Sequence, residues 1–154
     1  MARRGRLAAP ALFLFREGRR ENAPMVERAE GLSDDDLRRF SRRLAGLPPP
    51  APPPEAPDPG RFARGRALAG ERHCPVCHNP DFSGREQMPR LAHQREDYLL
   101  KALRDFRRGT RIGYGGAMAS ELAGLAEAEL ADLAHYLAHF AQPSGPNAGM
   151  AGAR

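Results

Sequence analysis

The chain has 154 residues, of which 41% are hydrophobic and none is tryptophan. This length allows one ordinary domain or two very small ones, and a very small domain buries little apolar core unless a cofactor, metal or disulfide adds to it. The formal net charge is +5, and Lys101 is the only lysine, so arginine carries nearly all of the positive charge. No run of about 18 apolar residues occurs, so no transmembrane helix is expected.

The N-terminus has some features of a secretion signal peptide but lacks others. Residues 7–15, "LAAPALFLF", form a short apolar stretch, and further arginines follow it at once. No A-x-A cleavage pattern occurs. We therefore interpret this stretch as part of the folded chain and not as a signal peptide.

A proline-rich spacer occupies residues 47–60, "LPPPAPPPEAPDPG". Proline removes backbone donors and fixes φ, so the spacer is expected to be extended. It divides the chain into residues 1–46 and residues 61–142. The Pro/Gly-rich tail, residues 143–154, is expected to be disordered.

The remaining segments are predicted to be helical. A helix is expected to begin at Asp58-Pro59, a second spans "REDYLLKALRDFRRG" and ends at Gly109, and a third spans "LAEAELADLAHYLAHF". The second carries Tyr98, Leu99, Ala102, Leu103 and Phe106 at helical spacing, and the third carries Leu130, Leu133, Ala134 and Leu137 on one stripe. No strand alternation persists, so the predicted fold class is all-α.

The two parts of the chain contain an internal repeat. Each copy consists of a helix, the pattern F-R-x-G-x-R, a loop, a methionine and a second helix. The matched residues are Phe15 with Phe106, Arg16 with Arg107, Gly18 with Gly109, Arg20 with Arg111, and Met25 with Met118. Two copies of such a pattern are improbable by chance.

The first copy lacks the cysteines of the second. Cys74 lies 32 residues before Phe106, and the same offset from Phe15 falls before Met1. The simplest interpretation is a chain that lacks the N-terminal portion of its first copy. A degenerate domain that has lost the motif is the alternative.

Residues 70–84, "GERHCPVCHNPDFSG", contain both cysteines of the chain. A structural zinc usually takes two ligand pairs from separate places, and no second cysteine pair exists here. The histidines His93, His135 and His139 do not follow a zinc spacing. A thioredoxin-type Cys-x-x-Cys lies beside a parallel sheet, and no strand is predicted.

Cys-x-x-Cys-His is the attachment signal of c-type haem. In that chemistry Cys74 and Cys77 form thioethers with the two vinyl groups of the porphyrin, and His78 faces the iron as an axial ligand. A low-spin electron carrier also needs a ligand from the opposite face. Met118, in the Gly-rich stretch "GYGGAMAS", is the main candidate. Met88 is the rival, and packing of Met118 on the core is the structural alternative.

Three successive blocks of the sequence resemble a class I cytochrome c. The blocks are "ARGRALAGERHCPVCHN", "MPRLAHQREDYLLKALRDFRRGTR" and "MASELAGLAEAELADLAHYLAHF", which occur in that order within about residues 61–140. With residues 1–46 included, the chain resembles a bacterial tandem dihaem cytochrome c that lacks most of its first domain.

The resemblance implies a role for each site residue. Cys74 and Cys77 would carry the thioethers of one haem c, while His78 and Met118 would be the proximal and distal iron ligands. The carbonyl of Pro89 would accept the Nδ1 proton of His78 and orient the ring.

The resemblance also implies how the helices pack, and it has two departures. Gly65 and Leu68 would lie where the first helix of the domain crosses the last, near Tyr136 and Leu137. His93 stands where the family often has glycine, and we interpret it as a surface histidine. "NPDFSG" replaces the usual His-Gly-x-x-Gly run, and Pro80 and Gly84 are expected to make the turn there.

The predicted function is one-electron transfer by a c-type cytochrome and not catalysis. Two alternatives are a haem enzyme with a labile sixth ligand and a cytochrome subunit docked in a larger oxidoreductase. The expected partners are redox proteins, either acidic ones or membrane-bound respiratory complexes, with no role for nucleic acid. Haem attachment implies a periplasmic or other extracytoplasmic location, with the signal expected upstream.

Overall fold

The computed structural model describes residues 5–85, 88–111 and 116–141, with side chains described from residue 11 onwards. Within these ranges the chain forms eight helices and no strand apart from one isolated bridge. The helices are α1 (Gly5–Arg16), α2 (Ala23–Ala29), α3 (Asp34–Ala45), α4 (Pro59–Glu71), α5 (Cys74–His78), α6 (Glu96–Arg107), α7 (Ala117–Glu121) and α8 (Glu127–Ala138). The all-α prediction is confirmed. The predicted tail, residues 143–154, lies outside the described residues.

Helix α8 is the centre of the larger unit and packs against both α4 and α6. The predicted apolar stripe of α8 is buried, with exposed fractions between 0% and 1%. Its members are Leu130, Leu133, Ala134 and Leu137. A helix that buries such a stripe gains most of its stability from tertiary packing.

A glycine sets the distance between α4 and α8. A Cβ atom at Gly65 would lie 2.2 Å from the carbonyl oxygen of Asp132 and 2.6 Å from the Cβ of Tyr136. Only a residue without a side chain fits at this crossing. The predicted contact of Gly65 with the last helix is confirmed.

The spacer ends at the start of α4, which begins as predicted. The side chain of Asp58 accepts a hydrogen bond from the Arg61 N–H at 2.7 Å, and Pro59 occupies the first turn. The Asp58 N–H donates to Nε2 of His135, 3.0 Å away. Since His135 belongs to α8, this bond fixes the end of the spacer to the centre of the domain.

Helices α1, α2 and α3 make the same contacts with one another as α6, α7 and α8 do. Arg16 donates to the carbonyl oxygen of Leu32 at 3.1 Å and to Asp34 at 2.8 Å. Its counterpart Arg107 donates to the carbonyl oxygen of Leu125 at 2.8 Å and to Glu127 at 2.9 Å. Each arginine thus joins the first helix of its copy to the start of the last one.

The ends of α1 and α6, the matched helices of the two copies, have the same backbone conformation. Gly18 after α1 and Gly109 after α6 have φ angles of 63° and 71°, in the left-handed region that favours glycine. Each donates its N–H to the matched phenylalanine carbonyl at 3.1 Å. The sequence repeat therefore corresponds to a repeated arrangement of helices.

Candidate functional site

Both cysteines lie on α5, a single turn of helix at the surface of the domain. Neither forms a disulfide; Cys74 is partly buried against the core, and Cys77 is exposed. Burial raises the pKa of the Cys74 thiol to about 11. Both thiols are therefore available for another covalent bond, and Val76 between them is 64% exposed, so the outer side of the motif reaches solvent.

His78, at the end of α5, is buried with one ring nitrogen unpaired. Its Nδ1 lies 2.9 Å from the carbonyl oxygen of Pro89, so Nδ1 carries the proton and donates it. Its Nε2 is buried and has no hydrogen-bond partner among the residues that the structure describes. Burial lowers the pKa of His78, while the bond to Pro89 opposes that shift. The ring therefore stays neutral and presents a lone pair, which is what an iron ligand requires.

The turn after the motif brings Pro89 to His78. The Asn79 side chain donates to the carbonyl oxygen of Gly84 at 2.9 Å, and the Gly84 N–H donates to the carbonyl oxygen of His78 at 3.0 Å. Gly84 has a φ of 76°, and a Cβ there would lie 2.5 Å from the carbonyl oxygen of Met88 and 2.6 Å from the carbonyl carbon of Pro89. The sequence interpretation expected Pro80 and Gly84 to form this turn and missed Asn79, whose amide holds it closed.

Met118 lies in the first turn of α7 and not in the loop where the sequence interpretation placed it. Residues 112–115 of that predicted loop are outside the described residues. The Met118 side chain is partly buried and packs against the same apolar cluster as Cys74. Arg72, just before the cysteine motif, approaches the carbonyl oxygens of Glu121 and Ala123 at 3.4 Å and 3.3 Å, which ties the end of α7 to the motif.

The rival methionine has a different environment. Met88 is 38% exposed, and its backbone pairs with Arg85 in a tight turn. Its side chain therefore faces solvent to a larger extent than that of Met118. Packing of Met118 on the core is observed, and this contact is compatible with either of its two predicted roles.

One set of metal-binding residue types occurs away from the cysteines. Among the described residues, a grouping of three such side chains whose ligand atoms lie within 4.8 Å of one another is formed by Glu96, His135 and His139. His135 uses both ring nitrogens, with Nδ1 donating to Glu96 at 2.8 Å and Nε2 accepting from Asp58. This arrangement is a hydrogen-bonded link between helices, since a metal would have to displace one of these bonds.

The fold is that of a c-type cytochrome. The profile of the cytochrome c family matches residues 62–141, just over half of the chain. The chain belongs to the cytochrome c family, and its cofactor is covalently attached haem c with iron. The unpaired Nε2 of His78 and the two free thiols fit this cofactor.

Three similar proteins agree with this assignment. Cytochrome c4 from Azotobacter vinelandii is 39% identical over 85 residues, and the match covers 48% of this chain and 40% of that protein. Cytochromes c4 of known structure share the fold: that of Acidithiobacillus ferrooxidans has a TM-score of 0.76 at 22% identity, covering 89% of this chain and 84% of that one. That of Pseudomonas stutzeri has a TM-score of 0.80 at 23% identity, covering 89% and 81%.

A fourth similar protein is an enzyme. Thiosulfate dehydrogenase from Marichromatium purpuratum has a TM-score of 0.73 at 30% identity and matches 88% of this chain but 31% of its own. The chain thus spans less than half of this enzyme and of the curated cytochrome c4. Within the described residues, no helix is long and apolar enough to cross a bilayer.

Proposed function

We propose that the chain is a one-electron carrier whose residues 61–142 bind one haem c. The observation that carries this proposal is the buried, neutral His78, with Nδ1 held by Pro89 and Nε2 unpaired. When bound, the haem supplies exchange of one electron between Fe(III) and Fe(II).

The protein residues have distinct roles in this proposal. Cys74 and Cys77 would attach the porphyrin through thioethers, and the Nε2 of His78 would bind the iron. Pro89 accepts the Nδ1 proton, which fixes the ring orientation and makes the imidazole a stronger donor. Met118 would supply the second iron ligand, and its thioether would stabilise the reduced iron. Its position on the same apolar cluster as Cys74 supports this assignment.

Electron exchange needs access to a partner surface and not a substrate pocket. The exposed Val76 and Cys77 on α5 provide a solvent-facing side of the motif. The chain has a net charge of +5, which favours acidic redox partners, including membrane-bound respiratory complexes. We propose a periplasmic or other extracytoplasmic location, because haem attachment to Cys-x-x-Cys-His takes place outside the cytoplasm.

The test is spectroscopic. The reduced holoprotein should show the absorption bands of six-coordinate low-spin haem c and should bind carbon monoxide slowly at neutral pH. Prompt binding of carbon monoxide would instead support a haem enzyme with an open coordination position. The match to thiosulfate dehydrogenase favours a second candidate, a cytochrome unit of a larger oxidoreductase. Stable co-purification with a large subunit would identify that case.

We also propose that residues 1–46 are part of a second cytochrome c repeat that lacks its cysteine motif. The support is the repeated helix arrangement together with a difference in burial. Leu37 on α3 is buried at 5%, like its counterpart on α8. Three further apolar residues on α3 or just after it are 44% to 49% exposed, although their counterparts in the second copy are buried. The pairs are Phe40 with Leu133, Leu44 with Leu137, and Leu47 with Phe140.

This difference has a structural explanation. In the larger unit, the segment that covers α8 includes α4, Phe82 and Ala92, all of which precede α6. The corresponding segment of the first copy would precede α1. The test is to fuse residues 61–92 ahead of residue 2, which keeps the offset of 32 residues between the cysteine and the matched phenylalanine, and measure haem content. Two haems per chain would support the proposal, and one haem would count against it.

A further inference from the structure

Tyr98 lies on α6 but not on the face that packs into the core. The helical spacing grouped it with Leu99 and Leu103, and the structure shows these two buried while Tyr98 is 38% exposed. Its hydroxyl points instead towards the N-terminal unit, where it meets a side chain 78 positions earlier in the sequence.

Two arginines donate to the Tyr98 hydroxyl oxygen. Arg20 of the N-terminal unit approaches it at 2.8 Å, and Arg111 of the haem domain approaches it at 3.3 Å. These two arginines are the matched final residues of the repeated F-R-x-G-x-R pattern. The Tyr98 hydroxyl oxygen therefore accepts a hydrogen bond from the equivalent arginine of each copy.

Each arginine is positioned in the same way by its own copy. The guanidinium carbon of Arg20 lies 4.7 Å from the centre of the Phe15 ring, and that of Arg111 lies 4.8 Å from the centre of the Phe106 ring. Such stacking fixes the guanidinium plane, and the N–H groups at its edge can donate to a common acceptor. The two halves of the contact are thus nearly symmetric.

The acceptor itself breaks the symmetry. Tyr98 precedes Phe106 by eight residues, and the residue that precedes Phe15 by the same number is Leu7, which has no hydroxyl. A phenol oxygen has two lone pairs, enough for two charged donors, and hydrogen bonds from charged donors are stronger than neutral ones. A single phenol can therefore serve both copies.

We propose that Tyr98 is a positioning residue that fixes the orientation of the N-terminal unit on the haem domain by accepting hydrogen bonds from Arg20 and Arg111 together. The spacer, rich in proline and without helix over residues 48–57, joins the two units and contacts the haem domain through Pro50 at His93 and Asp58 at His135. The bonds to Tyr98 add a contact between the units themselves. This orientation does not depend on the proposed function.

The experiment measures backbone residual dipolar couplings of the reduced holoprotein. In the native chain, couplings from residues 11–46 and 61–141 should fit one common alignment tensor. Tyr98→Phe keeps the ring and removes the oxygen, and it should lose the single-tensor fit. Arg20→Met should do the same, and Arg20→Lys, which keeps a charged donor, should restore the common tensor at least in part. Arg19→Met is the matched control, because Arg19 is exposed and carries the same charge, and it should keep one tensor.

Two results would overturn the proposal. One is a native chain whose units already need separate tensors, and the other is a Tyr98→Phe protein that keeps one tensor. If Tyr98→Phe does not fold, the Arg20 variants decide the question by the same criterion, since Arg20 lies outside the haem domain. Failure of the proposed function would appear separately, as an unexpected haem spectrum in a native chain that still fits one tensor.

Discussion

The Nδ1 atom of His78 lies 2.9 Å from the carbonyl oxygen of Pro89, across a turn that closes only because residue 84 is glycine. The bond leaves Nε2 as the free nitrogen of a buried imidazole. The histidine is therefore oriented by α5, by the turn that the Asn79 side chain closes and by the Pro89 carbonyl, and its Nε2 is available to bind iron.

Gly84→Ala should raise the reduction potential. A Cβ at this position would meet the backbone of Met88 and Pro89 at 2.5 Å and 2.6 Å, so the Pro89 carbonyl must move and its bond to His78 weakens. A weaker bond makes the imidazole a poorer donor to Fe(III). Gly109→Ala is the matched control, because Gly109 has a similar φ of 71° and nothing within 4 Å of its Cβ position. In both variants the left-handed backbone should lower the free energy of unfolding by about 1–2 kcal/mol. Only Gly84→Ala should change the reduction potential, so equal potentials in the two variants would contradict the prediction.

Gly65→Ala should destabilise the haem domain by about 1–3 kcal/mol, because the new Cβ overpacks the crossing of α4 and α8. The nearest obstacle is the backbone oxygen of Asp132 at 2.2 Å, which cannot rotate away. Gly70→Ala on the same helix has nothing within 4 Å and should be neutral or stabilising by about 0.5–1 kcal/mol. Denaturant unfolding of the two holoproteins measures the difference, and similar midpoints would refute it.

Met118→Ala should remove the Met–Fe(III) charge-transfer band and lower the reduction potential, since methionine stabilises the reduced iron. Axial ligands tune haem potentials over about 0.8 V, so the change should exceed that of any surface substitution. Met88→Ala, at a methionine that is 38% exposed, should leave both quantities unchanged. Persistence of the band in Met118→Ala would assign the ligand to another residue.

Asp132→Asn should reduce stability at neutral pH and have less effect in acid. Arg64 holds Asp132 with contacts of 2.6 Å and 3.2 Å, and this bond lowers the pKa of the carboxyl although burial opposes the shift. A lowered folded-state pKa gives stability that is present above the unfolded value of about 3.9 and is lost as pH falls towards the folded value.

The size of this effect should be about 1 kcal/mol at neutral pH, since the Arg64 side chain is 62% exposed and water screens the pair. The measurement is the free energy of unfolding of native and Asp132→Asn proteins between pH 7 and pH 3. Asp97→Asn, whose partner Arg95 is 82% exposed, is the control and should follow the native pH profile. A difference that stays constant with pH would show that the carboxylate charge is not responsible.

Loss of haem attachment should leave residues 61–141 largely unfolded. A domain of this size buries too little apolar area to fold alone with a large margin, and the haem supplies part of its core. The Cys74→Ser/Cys77→Ser variant removes both thioethers while changing each side chain by one atom. Circular dichroism should show reduced helicity and no cooperative melting, whereas a cooperative helical transition would contradict the prediction.

The sequence alone was sufficient for the class of protein, the helices and the repeat. Cys-x-x-Cys-His is read directly from the chain because its chemistry depends on spacing within one helical turn. The burial of Leu130, Leu133 and Leu137 follows from helical periodicity in the same way. Such features depend on neighbours in sequence, so local physics determines them.

Only the tertiary structure decided what the remaining polar side chains do. His93, interpreted as a surface histidine, is half-buried with a φ of 63°, and its ring lies 3.3 Å from the carbonyl oxygen of Pro50 and 2.7 Å from that of Phe140. Tyr98, grouped with the core, meets Arg20 in the other unit. These partners are 43 to 78 positions apart. Such contacts form only after the helices have packed, because packing and not sequence spacing brings distant donors and acceptors within hydrogen-bonding distance.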